Sequence, residues 1–167
     1  MTHAGKVWIG AQFGFGPGFT DYPASNSEVA VNSILTPVLA LIILSLAVWI
    51  WMYVTRIPAM QRAGLQAQEV RFPAALQQLP DAARQIADNY NHLMEQPTIF
   101  YALVFYIVLV GHSDQLLIDL AWSYVALRAV HTLIQGTVNI VTFRFSIFSL
   151  STLVLMVMTG REVVALL

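Results

Sequence analysis

The sequence predicts an all-α fold, an integral membrane bundle of four helices, on three observations. Of its 167 residues 57% are hydrophobic and only 10% charged, against roughly 25% charged in soluble domains. Ile34 to Val54 is an uncharged run of about twenty residues, the length that crosses roughly 30 Å of hydrocarbon. In the later apolar segments the polar residues recur at helical spacing, so each segment reads as a span with one polar face.

Composition also limits function. A formal net charge of −1 leaves no basic footprint for nucleic acid. With no cysteine in the chain there is no thiolate nucleophile, disulfide or zinc–thiolate site, so any sulfur chemistry has to come from a ligand. The expected organisation is an irregular N-terminal segment, residues 1–33, and one four-span domain, residues 34–167. Gly10, Gly14, Gly16, Pro17 and Gly18 interrupt the N-terminal segment and do not fit a cleavable signal sequence.

The first span, Ile34 to Val54, carries Pro37 near its start, where a missing amide donor does least harm. It ends on Trp49, Trp51 and Tyr53, an interfacial belt, followed by Arg56. The connection Thr55 to Pro80 holds Arg56, Arg62 and Arg71 against a single Glu69, which marks it as the cytoplasmic loop. Gln61 to Val70 is expected as a surface helix. Asp81, after Pro80, is a candidate N-cap for a second helix reaching Val110. At about thirty residues, or roughly 45 Å, that helix projects beyond the bilayer.

Arg84, Asp88, His92 and Glu95 fall on one stripe of the second helix. A carboxylate inside a span is expensive and is expected to face the bundle with a partner. Pro97, two residues on, frees the carbonyl of Leu93 and is expected to kink the helix. Gly111 to Asp114 is a short turn, and the third helix is expected over Gln115 to Thr142. Tyr124, Arg128, His131, Gln135 and Asn139 recur on it at four, three, four and four. Arg128 sits mid-span, with Glu95 as its expected partner. The last span is expected from about Phe145 to Met158, with Gly160 and Arg161 at its end. The arginine asymmetry then puts both termini on the non-cytoplasmic side.

A carboxylate just before a proline-bearing aromatic run on the second helix, with Arg128, His131 and Arg144 downstream, resembles the MAPEG family, the membrane-associated proteins in eicosanoid and glutathione metabolism. The resemblance implies a homotrimer of four-span subunits in membrane lipid, with glutathione as co-substrate between subunits and a lipophilic small molecule as second substrate. It places Arg144 as the residue that activates the thiol. Glu95, His92, Arg128, His131 and Gln135 become glutathione-binding positions, with Arg84 substituting for an arginine that the family carries where this chain has Asp88. His92 stands at an asparagine position and Gln135 at a tyrosine position. Phe145 and Phe148 stand where prostaglandin-synthase-like members are polar.

Two function classes follow. One is a glutathione-dependent transferase or peroxidase acting on lipophilic electrophiles. The other is a non-catalytic membrane subunit whose polar residues hold helices together. No metal is expected, because a di-iron bundle draws carboxylates from four helices and this chain offers one such helix.

Overall fold

The computed structural model describes residues 26–66, 68–71 and 73–167. The chain forms α1 (Asn26–Arg62), a 3₁₀ turn (Glu69–Arg71), the short α2 (Pro73–Leu76), α3 (Asp81–Val110), α4 (Gln115–Gly136) and α5 (Val141–Ala165). Among the described residues α1, α3, α4 and α5 are long and apolar enough to cross a membrane. The protein is therefore an integral, multi-pass membrane protein. The expected N-terminal segment lies outside the described residues up to residue 25, and α1 already begins at Asn26, ahead of the anticipated boundary.

α1 also ends later than expected. Instead of stopping after the aromatic belt it passes through Pro58 to Arg62. Thr55 Oγ1 donates to the carbonyls of Trp51 and Met52. Ala59 beyond the proline is buried against Leu79 and Ala83, with Met60, Leu65 and Leu76 around them. This small second core offsets the missing proline donor by burying the extra turn. The anticipated surface helix over Gln61 to Val70 does not form. Gly64 turns the chain at φ 68°, a conformation that glycine adopts without steric cost, and Glu69 then accepts from the Gln66 amide at 2.8 Å.

α3 has the bounds read from the sequence. Asp81 is not its cap, however: Pro80 occupies that position without a side-chain cap, and Asp81 lies in the first turn, paired with Arg84. The helix ends at Gly111, φ 75°. There the Gly111 amide donates to Val108 O and the His112 amide to Ile107 O, a Schellman closure. Asp114 caps α4, accepting from the Leu117 amide at 2.9 Å.

α4 stops at Gly136 rather than Thr142, so Asn139 leaves the polar stripe and sits in the α4–α5 turn at φ 48°. α5 starts before Arg144 and runs past Gly160 and Arg161 to Ala165. Arg161 and Asp114 form an ion pair, and His112 Nδ1 lies 2.8 Å from the buried Glu162. These contacts tie the last turns of α5 to the α3–α4 turn.

α1 packs along α3 and α4, and α4 along α5. The core contains Leu41 and Val48 of α1, Leu93, Phe100 and Val104 of α3, Ala121 and Tyr124 of α4, and Leu155 and Met158 of α5. The Phe100 and Tyr124 rings stack at 4.6 Å. Leu39, Ile43, Leu46, Ile99, Leu133, Leu153 and Met156 point outward, as lipid-facing side chains do, since lipid gives them no reason to hide.

Candidate functional site

The buried residues of α3 include Asn89, Leu93, Gln96, Phe100, Val104 and Ile107, at the three- and four-residue spacing of one helical face. That rotation leaves Glu95, on the neighbouring stripe, facing outward. The Glu95 side chain is 68% exposed, and the ionisable group beside it is His92, whose Nδ1 lies 3.9 Å away, beyond hydrogen-bond range. The expected ion pair between Glu95 and Arg128 is therefore not formed within the chain.

Gln96 takes the inward position. Its Nε2 donates to Thr152 Oγ1 at 2.6 Å, and its Oε1 accepts from Ser151 Oγ at 3.2 Å and Tyr124 OH at 3.4 Å. One amide thus links α3, α4 and α5. The spacing of Leu93, Gln96 and Phe100 was the signal for it in the sequence.

Arg128 is fully buried. Its Nη2 donates to the His92 carbonyl at 2.8 Å, one residue before the carbonyl that Pro97 frees. Its guanidinium carbon lies 5.7 Å from the Phe148 ring centroid, within cation–π range. Nε and Nη1 have no hydrogen-bond partner among the described residues. Gln135 is buried one turn beyond His131 with both amide atoms unpaired. Asn89 Nδ2 donates to the Thr132 carbonyl at 3.2 Å.

The elements converge on a pocket of about 190 Å³ lined by His92 of α3, His131 of α4, and Val141, Arg144, Phe145 and Phe148 of α5. The His92 and His131 rings stand 6.0 Å apart, and His131 and Phe148 6.1 Å apart. The Nδ1 atoms of both histidines are buried and without hydrogen-bond partners among the described residues. Arg144 Nη1 donates to Asn139 Oδ1 at 2.7 Å. Of the predicted site residues, His92, His131 and Arg144 meet in this pocket, and Arg128 lies behind it against Phe148. Glu95, Gln135 and Arg84 do not line it.

Arg84 is at the head of α3, where it donates to Gln77 Oε1 at 2.8 Å and pairs with Asp81. It lines a larger cavity of about 650 Å³ shared with Arg56, Asp88, Asn91 and Asn139. The two cavities share no lining residue, and the hydrogen bond from Arg144 in the smaller to Asn139 in the larger links their walls. Ligand pockets usually hold roughly 300–1,000 Å³, a range that the larger cavity falls within and the smaller does not. Arg56, a topology marker by its place after the first span, also lines this cavity, which no local pattern signals.

Among comparisons with known proteins, the model of the MAPEG family matches residues 34–164. No curated protein and no solved structure matches the chain. The matched stretch contains α3, α4 and the pocket residues together with nearly all of the membrane-spanning part of α1 and α5, and on that match the chain belongs to the MAPEG family.

Proposed function

We propose that this protein is a glutathione-dependent transferase or peroxidase acting on lipophilic electrophiles that reach it from the bilayer. The observation that carries the reading is the placement of Arg144 in one pocket with two histidines whose Nδ1 atoms lack partners, bordered by Phe145 and Phe148. Cationic and hydrogen-bonding groups suit a thiolate, and the phenyl rings suit an apolar co-substrate. Phe145 is exposed.

In this reading Arg144 holds the thiol of glutathione as thiolate, and the proton leaves to water. A free thiol of pKa about 8.5 is only about 3% thiolate at pH 7, and lowering it by about two units makes it mostly thiolate. His92 and His131 orient the cysteinyl part. In the transferase reaction the sulfur lone pair forms the new S–C bond while the electron pair of the bond that breaks leaves with the leaving group. In the peroxidase reaction the thiolate takes the distal oxygen of a lipid hydroperoxide as the O–O bond breaks, and a second glutathione converts the sulfenic acid to disulfide and water. The gain comes from holding the two reactants together.

The family suggests a homotrimer. The exposed carboxylate of Glu95 within a span supports it, because such a group is costly against lipid and a neighbouring subunit would cover it. Glu95 then contributes to binding from the interface, and Gln135 and Arg128 act behind the pocket. Arg84, engaged by Asp81, has at most an indirect part.

A second reading, a non-catalytic subunit, draws on the Gln96 network and the bond from Arg128 to the His92 carbonyl, which hold helices together without a ligand. Titrating glutathione into the purified protein while following thiolate absorbance separates the two. The enzyme reading expects saturable binding with a thiolate signal that Arg144→Ala abolishes. Wild type showing neither signal nor saturation at millimolar glutathione leaves the structural subunit.

A further inference from the structure

The turn between α4 and α5 contains an asparagine in a conformation that few side chains adopt. α4 ends at Gly136, and Gln85 of α3 steadies the turn by donating to the carbonyls of Gly136 and Thr137 at 3.3 and 3.4 Å. Asn139 follows at φ 48°, its amide donating to the Ile134 carbonyl at 2.7 Å. Asparagine reaches left-handed backbone more readily than most residues, and glycine most readily of all. What asparagine adds over glycine here is a carboxamide. Its Oδ1 accepts from Nη1 of Arg144 at 2.7 Å, in the first turn of α5. A guanidinium has donors only, so the amide oxygen has to be the atom that faces it.

Among the described residues Arg144 has no carboxylate partner, and the bond to Asn139 is its one side-chain hydrogen bond. A neutral acceptor fixes where a guanidinium lies and leaves its charge uncompensated, whereas a carboxylate would fix it and cancel the charge. We propose that Asn139 is a positioning residue for the thiol chemistry, holding the Arg144 guanidinium at the pocket wall with its full charge available to a thiolate. This role rests on the function proposed above. Arg144 is only half-buried, and a long side chain without a tether samples many rotamers, of which a fraction meet the sulfur. The tether in turn depends on the turn that Gln85 and the Ile134 carbonyl hold in place.

The test titrates the thiolate difference absorbance of glutathione-saturated protein against pH, using the full chain in lipid nanodiscs, for wild type, Asn139→Asp and Asn139→Gly. Melting temperatures are measured alongside. Aspartate has nearly the shape of asparagine and also tolerates this backbone, so Asn139→Asp keeps the tether and adds a negative charge beside Arg144. The apparent pKa of the bound thiol is then expected to rise by about one unit or more, the scale on which one close charge acts, and the thiolate signal at pH 7 to fall with it. Asn139→Gly suits the backbone better and should keep or raise the melting temperature. It loses the tether, however, and should also raise the thiol pKa, by less than the aspartate because the guanidinium keeps its charge. If asparagine served the turn alone, Asn139→Gly would titrate as wild type does. Either variant titrating as wild type overturns the inference and leaves the thiol chemistry standing on the wild-type signal. A wild type with no thiolate signal removes the enzyme reading and the role of Asn139 together.

Discussion

Asp114 shows how one side chain serves two elements. It caps α4 through the Leu117 amide and pairs with Arg161 of α5. Burial pulls its carboxyl upward, but hydrogen bonds from Arg161 and the Leu117 amide outweigh that and hold it below the usual carboxylate range. A depressed folded-state pKa contributes stability that is present above the unfolded value of about 3.9 and is lost as pH falls through the folded value. Thermal unfolding in detergent should therefore show wild type losing its advantage over Asp114→Asn as pH is lowered from 6 to 3. A constant gap across that range would mean that the carboxylate charge contributes nothing. The side chain is partly exposed to solvent, so the effect is modest.

At the scale of elements, α1 and α4 pack tightly where the Trp51 ring lies over Gly136. A Cβ built on Gly136 would lie 2.5 Å from Trp51 Cη2 and 2.7 Å from Cζ3. An aromatic ring cannot bend away, so either its rotamer or the helix spacing must shift. Gly136→Ala is expected to destabilise by about 1–3 kcal/mol, the usual cost of overpacking. In a Trp51→Ala background the same change should cost little, because the obstructing ring is gone. A double-mutant cycle by thermal or denaturant unfolding measures this coupling. Additive costs would place the strain elsewhere. The same end of α4 is fastened to α3 by Gln85 Nε2, which donates to the Gly136 carbonyl at 3.3 Å, so distortion here also reaches the head of the second span.

For the whole molecule, the sidedness proposed from arginine asymmetry has a direct test. Arg56 and Arg62 lie in the last turns of α1, Arg71 lies on the α1–α3 connection, and Arg144 is near the start of α5, on the same side of the bundle. The Asp114–Arg161 and His112–Glu162 contacts mark the opposite side. Positive-inside bias predicts the connection in the cytoplasm and both termini outside. The native chain has no cysteine, and Gln66 is exposed in the connection. A cysteine introduced there should resist an impermeant maleimide in intact cells and react after permeabilisation. Labelling from outside would reverse the orientation and with it the side from which a water-soluble thiol arrives.

Composition and period by themselves determined the number of spans, the bounds of α3 and the stripe of Tyr124, Arg128, His131 and Gln135 on α4. These are local properties: hydrocarbon thickness sets length, and the helical repeat sets which residues share a face. Arg144, His92 and His131 were grouped by the resemblance to the MAPEG family, and their approach within one pocket has no local signature. Tertiary structure alone decided the rotation of α3 about its axis. Two adjacent stripes, one carrying Glu95 and one carrying Gln96, both fit a helix. The choice fell to Ser151, Thr152 and Tyr124, whose hydroxyls meet an amide while the charged stripe stays on the outside. It likewise decided that α1 continues past Pro58, because the burial of Ala59 against Leu79 and Ala83 depends on residues far along the chain. The cavity shared by Arg56 and Asp88 is assembled from three stretches of chain, and such a meeting has no local signature for a sequence to display.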